Sequence, residues 1–472
     1  MKPHVRSLLV ALTAILLFLA ANTFLLAKDF YWLCLLPVGL LAALLFVLRL
    51  ETGLLLMAML TPLAINLAVL PGMELSMPVE PMMILFTLIF LFRVLLTRGY
   101  DRRILRHPIT IALLAQLLWM LVTSATSQLP AVSFKYLTAR LWFVIPFYFA
   151  AVQIFRRRAR IAHFYLAYAI GLTVVILYAT IGTLAHMHDL QTLHRVMCPF
   201  YNDHTAYGCV IALMLPAGVY FALERPAQEL KRLSAQAFVA LLLTGLFFSY
   251  CRAAWLSVCA AIGVYVLIRM GMKLKWMVLL FGLAVGGFLA YQGDIMYKMG
   301  KNKQDSSLDL AGQIQSISNI STDASNLERL NRWSCALRMF RDHPLFGCGP
   351  GTYQFLYASY QRSYQKSVIS TDFGNLGNAH SEYIGPLCDQ GVLGAGCVLA
   401  LFLITFATGV RVYRTAADPQ VARLALALTL SLLTYYVHGV FNNFLDTDKL
   451  SLPFWAFTAA VAALDLYSEK KS

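Results

Sequence analysis

The chain has 472 residues, 59% of them hydrophobic and 13% charged, with a formal net charge of +15. A soluble protein carries roughly twice that charged fraction, so a soluble enzyme is excluded, and the Lys/Arg excess reads as membrane orientation rather than nucleic-acid binding. Segments such as "LLVALTAILLFLAANTFLLA" are apolar on all faces, which excludes the alternating strands of an outer-membrane barrel. The expected fold class is an all-α polytopic membrane protein.

The chain opens on basic residues followed by an apolar run long enough to span, which reads as a retained first helix rather than a cleaved signal peptide. Apolar segments then recur at 7–27, 30–48, 52–70, 79–97, 108–125, 140–155, 162–185, 205–223, 234–250, 253–269, 274–291, 386–410, 421–441 and 452–467, giving about 12–14 transmembrane helices. With the N-terminus in the cytoplasm, the loops "RVLLTRGYDRRILRH", "FRRRAR", "ERPAQELKR", "RMGMKLK" and "RVYRTAADPQVAR" and the tail "EKKS" fall inside. The opposite loops "PGMELSMP", "SQLPAVS", "HMHDLQTLHR" and "NNFLDTD" are poor in positive charge. This is the positive-inside pattern, and it places both termini in the cytoplasm.

Three regions follow: an N-terminal bundle of about 11 helices over 1–291, a long loop over 292–385 outside the cytoplasm, and about 3 C-terminal helices over 386–472. Loops of that length are usually functional. Within this one, "SNLERLNRWSCALRMFRDHP" predicts a helix, with Ser325 or Asn326 as cap and Leu327, Leu330, Trp333, Leu337 and Phe340 spaced by three and four. That stripe is expected on the bundle or the membrane surface, with arginines flanking it. Of the nine cysteines, Cys34, Cys209, Cys259 and Cys397 lie in apolar runs, and no Cys/His spacing suits a metal. Cys335 and Cys348 share the long loop, where a disulfide is chemically permitted.

Two cations sit on the side where they do not help orientation. Arg195 lies in "LQTLHRVMCPFYNDHTAYG" and Arg252 in "FFSYCRAAWLS", both between apolar runs. An arginine at membrane depth costs about 2–3 kcal/mol and marks a functional site by default. Guanidinium forks suit phosphate oxygens and keep their charge there, so a lipid pyrophosphate is the anion they predict. His380, at the outer lip of the span beginning near 386, is the candidate base for an attacking hydroxyl. Glu382 would point to another side of a helix, so no His–Glu dyad is expected.

The segments "RWSCALRMFRDHPLFGCGPGTYQ", "NAHSEYIGPLCDQGVLG", "HRVMCPFYNDHTAYG" and "SYCRAAWLS" resemble the O-antigen ligase and polymerase superfamily, mainly over residues 190–400. The family usually carries serine just before its second arginine, where this chain has Cys251, with Ser249 two residues earlier. The resemblance implies a polyprenyl-sugar-using glycosyltransferase of the bacterial inner membrane, free of metal and cofactor, with its site on the periplasmic side. It implies a glycan on undecaprenyl pyrophosphate as donor. The acceptor is a hydroxyl of lipid A–core for a ligase, or a second lipid-linked glycan for a polymerase. By position, His380 becomes the catalytic base, while Arg195 and Arg252 grip the diphosphate. Arg332, Arg338, Arg341, Glu382 and Tyr353 are further candidates for substrate contact, and Asn442, Asn443 and Asp446 either bind sugar hydroxyls or cap a helix. A transporter of an anionic substrate is the alternative of a different class, but the paired broken helices of such folds are not visible.

Overall fold

The computed structural model describes residues 3–28, 31–70, 73–97, 99–186, 190–224, 229–273, 276, 279, 324–366, 370 and 377–470. The order of long elements is α1 (Pro3–Leu26), α2 (Leu36–Leu48), α3 (Leu50–Leu60), a hairpin of β1 (Ile65–Leu70) and β2 (Met73–Met77), then α4 (Val79–Thr97), α5 (Pro108–Ala125) and α6 (Pro130–Ile154). There follow α7 (Arg158–Ala185), α8 (His204–Leu223), α9 (Glu229–Phe248), α10 (Arg252–Arg269), α11 (Ala324–Asp342), α12 (Ile384–Thr415), α13 (Pro419–His438) and α14 (Asp448–Tyr467). Among the described residues ten helices are long and apolar enough to cross a membrane, α4 to α10 and α12 to α14, and the first three helices add shorter apolar stretches. The protein is an all-α polytopic membrane protein. Of the expected span 274–291 only residues 276 and 279 are among the described residues.

One expected span is corrected. Residues 52–70 do not form a single helix: α3 stops at Leu60, a short turn over Thr61–Leu63 follows, and Ile65–Leu70 pairs antiparallel with Met73–Met77. Pro62 stands in that turn and lacks the N–H a continuing helix needs. Elsewhere the ends are set by local chemistry. Asp203 caps α8 by accepting from the N–H groups of Thr205 and Ala206 at 2.7 and 2.8 Å, and Asp418 caps α13 through Gln420 N–H at 2.7 Å.

Polar contacts hold together each of the two loop sets that the charge pattern separated. At one end Arg156 pairs with Asp101 at 3.0 Å, Arg158 with Asp418 at 2.7 Å and Arg411 with Asp465 at 2.6 Å, while Arg414 donates to Met272 O at 2.7 Å. At the other end Ser76 donates to Asp448 at 2.7 Å, Arg140 pairs with Asp446 at 3.1 Å, and Gln128 N–H donates to Cys348 O at 3.0 Å. α11 lies at this second end. It is buried on two sides rather than carrying one stripe: Leu330 and Trp333 pack on Val440 and Phe441, and Cys335, Ala336 and Met339 pack with Tyr353 and Tyr357. Cys335 and Cys348 are both free thiols in that second cluster.

Candidate functional site

The kink in α12 organises the site. Gly391 has φ 71° and ψ −170°, a combination essentially reserved for glycine, and a Cβ there would meet Leu345 O at 2.1 Å. The break frees backbone carbonyls that need new donors. Cys348 N–H takes Cys388 O at 3.0 Å, Gly349 N–H takes Asp389 O at 2.8 Å, and the indole of Trp119 takes Gln390 O at 2.8 Å. The Asp389 carboxylate in turn accepts from Gly351 and Tyr353 N–H at 2.9 and 3.1 Å. The segments "GCGPGTY" and "DQGVLG" therefore lock together as one backbone unit.

Just before α12, "NAHSEY" forms a fixed turn. His380 has φ 49°, unusual for a residue with a Cβ, and its N–H donates to Asn378 Oδ1 at 3.1 Å. Ser381 accepts from Tyr383 and Ile384 N–H at 3.3 Å each, and Glu382 N–H donates to Gly439 O at 2.8 Å. The Glu382 carboxylate leaves His380 and accepts from Tyr435 O–H and, at 3.0 Å, from Leu445 N–H. Burial and the Asp446 charge push it up to about 7, against the pull of Arg140 and these donors.

His380 faces a cationic setting. Burial first, then the charges of Arg332 and Arg329, hold its imidazole down at about 3, with Asp203 opposing weakly. Arg332 pairs with Glu328 at 2.9 Å, donates to Asn378 O at 3.1 Å and lies over the Tyr357 ring at 5.2 Å. It is only 3% exposed, so it ties α11 to the His380 turn instead of sitting on a solvated helix face. Arg338 holds Tyr360 O and Gln365 at 2.8 and 2.9 Å, whereas Arg341 is exposed. Tyr353 is buried, and its hydroxyl donates to Arg332 O at 2.9 Å.

Arg252 opens α10, half-buried, directly after a turn in which Tyr250 has φ 49°. Ser249 supplies the local hydrogen bond there, accepting from Cys251 N–H at 3.2 Å, so the cysteine in the usual serine position leaves the turn supported. Gly208 lets this turn press against α8, since a Cβ there would meet Cys251 at 2.8 Å and Ser249 at 2.9 Å. Arg195 is exposed in the turn before α8, next to His194, whose ring stacks on His204 at 4.2 Å. His204 lies in the fields of Arg252 and Arg329. The segments carrying Arg195, Arg252 and His380 thus meet at the same end of the bundle, with Arg329 and Asp203 acting on both His204 and His380.

Sequence reading missed Arg329, which also donates to Phe441 O at 3.2 Å, because it looks like one more arginine on an amphipathic helix. It also missed Arg140, which donates to Tyr136 at 2.9 Å and pairs with Asp446. A cation inside an apolar run was the available signal.

Residues 237–399 match the family model described as O-antigen ligase. The matched segment contains Arg252, α11, His380 and the α12 kink, and begins after Arg195. It supports the O-antigen ligase and polymerase superfamily reading of the motifs. No curated protein matches the chain.

Proposed function

Starting from this O-antigen ligase segment, we propose that the protein transfers a glycan from undecaprenyl pyrophosphate to a hydroxyl of lipid A–core, at the periplasmic face of the bacterial inner membrane. The observation that carries the reading is the setting of His380: a neutral imidazole in a fixed left-handed turn, beside buried guanidinium charge, at the mouth of a membrane bundle. In the reaction His380 takes the proton of the acceptor hydroxyl. The oxygen attacks the anomeric carbon, the bond from that carbon to the diphosphate oxygen breaks, and configuration inverts. Undecaprenyl pyrophosphate leaves with the electron pair, and Arg195 and Arg252 stabilise its added charge. The imidazolium then gives its proton to water.

In the free protein burial first, and then the charges of Arg332 and Arg329, weaken His380 as a base. A bound diphosphate offsets the guanidinium part of that shift and raises the imidazole toward its ordinary value, so part of its basicity arrives with the donor. The positive-inside pattern supports cytoplasmic termini and a periplasmic site. The three regions expected from sequence support a division of labour: bundle residues 1–291 hold the donor, loop residues 292–385 cover both substrates, and residues 386–472 brace the His380 turn.

The decisive experiment gives purified protein in detergent the lipid-linked donor and lipid A–core. Product without a sealed compartment separates a transferase from a transporter. His380→Ala is expected to lower the rate by about 10²–10⁴-fold with the chain still folded, and an unaffected rate would end the reading. A deletion strain separates ligase from polymerase: the first leaves naked core, the second leaves core carrying one repeat.

A further inference from the structure

At the end of the bundle opposite His380, the C-terminal ends of α2, α4 and α6 and the starts of α3 and α7 border a cavity of about 530 Å³. Its wall carries Arg49, Arg93, Arg156, Arg157 and Arg160 against one carboxylate, Glu51. Arginine stays charged at any working pH, so the wall is strongly cationic.

Two of the five are answered within the protein. Arg160 pairs with Glu51, while Arg156 pairs with Asp101 at 3.0 Å and donates to the Tyr467 hydroxyl at 3.3 Å. Arg49, Arg93 and Arg157 have no acidic partner among the described residues. Membrane orientation does not require this arrangement. Cations anywhere in the loops near a span satisfy the positive-inside effect, whereas these converge on one cavity from three separate chain segments. Arg93 even stands inside the apolar run of α4, a turn before its end at Thr97. Like charges gathered around one space repel each other, and an anion in that space relieves the repulsion. Guanidinium forks suit phosphate oxygens in particular.

The surroundings favour a phosphate carried on a lipid over one free in water. Leu48 lines the cavity and is 68% exposed. Leu44 and Val47 on α2, and Phe92, Leu95 and Leu96 on α4, are exposed beside it. A soluble anion gains nothing from that apolar surface, but a molecule with a phosphate head and acyl chains covers both parts. Basic pockets between transmembrane helices hold acidic headgroups in this way.

We propose that this cavity binds the phosphate headgroup of an acidic phospholipid, with the acyl chains lying along α2 and α4. The inference uses only the membrane fold and does not rest on the transferase reading.

The test uses the full chain, purified in a neutral detergent and stripped of lipid, with bound lipid read by native mass spectrometry. The probes are cardiolipin and phosphatidylglycerol, with zwitterionic phosphatidylethanolamine as reference and inorganic pyrophosphate as soluble competitor. Wild type is expected to hold an acidic lipid about tenfold more tightly than the reference, and to keep it in millimolar pyrophosphate. Arg49→Gln, Arg93→Gln and Arg157→Gln should each weaken retention about fivefold, and the triple variant about a hundredfold. Arg423→Gln, at the same end but outside the cavity, should match wild type. Without lipid the three single variants should melt at the wild-type temperature or above, because each removes a repelling charge. Equal retention of the zwitterionic lipid, or unchanged retention in the triple variant, overturns the proposal. So does displacement by pyrophosphate, which makes the ligand a soluble anion, or an equal loss in Arg423→Gln, which makes the effect diffuse surface charge. A lower melting temperature in all three single variants overturns it as well. His380→Ala should hold lipid as wild type does whether or not it transfers glycan, so the two readings fail separately.

Discussion

His380 and Glu382 lie two residues apart and are shifted from their ordinary values in opposite directions, which makes the pair testable one residue at a time. His380 is held near 3 in the free protein, and kcat/KM reports groups of the free enzyme. That profile should therefore stay flat as pH falls through the ordinary histidine value of 6.5, while kcat, read with the diphosphate bound, should drop nearer neutrality. Coincident acid limbs near 6.5 would refute substrate-supplied basicity. Glu382 is raised to about 7 from an ordinary 4.5, so the folded state keeps a proton that the unfolded state has lost. Its contribution to stability is complete below about 4.5 and disappears as pH rises through about 7. Glu382→Gln should flatten that slope in a melting-temperature series, since the amide oxygen still accepts from Tyr435 and Leu445. Both residues stood out in the sequence, but their separate roles did not. The left-handed turn at His380 sends one side chain toward α11 and the other toward the α13–α14 connection.

α12 is the element on which the site is built, and its kink is glycine chemistry. Gly391→Ala is expected to cost about 1–3 kcal/mol from backbone strain, with more from the contact at Leu345 O, and to lower the melting temperature of the detergent-solubilised chain. An unshifted midpoint would mean the kink is not held as described. The sequence marks a helix here and a glycine-rich segment before it. Nothing in either stretch alone says that the freed carbonyls of 388–390 are answered by Cys348, Gly349 and Trp119, because those bonds join residues far apart in the chain. The same limit applies to α11. Its leucine and tryptophan spacing is legible, yet the burial of Arg332 depends on Glu328, the Asn378 carbonyl and the Tyr357 ring meeting it from three directions.

Across the whole molecule, the charge pattern sorts loops into two sets, and polar contacts then bind each set to itself. The proposed orientation predicts that a green fluorescent protein fused after residue 470 fluoresces, and that alkaline phosphatase fused after residue 366 is active. The reverse pair of signals would invert the topology and move the site to the cytoplasm. By itself the sequence determined the class of fold, most of the helical spans outside 52–70 and the motifs that match the family. These are properties of short windows: hydropathy, charge and spacing act locally, and the bilayer reads them locally. Only the tertiary structure decided which buried polar groups find partners. Arg332 and Glu382 are satisfied, while one buried polar atom each of Gln116, Gln390, Asn443 and Trp455 finds no partner among the described residues. Hydrogen-bond satisfaction depends on distances between segments hundreds of residues apart, and no local pattern encodes them.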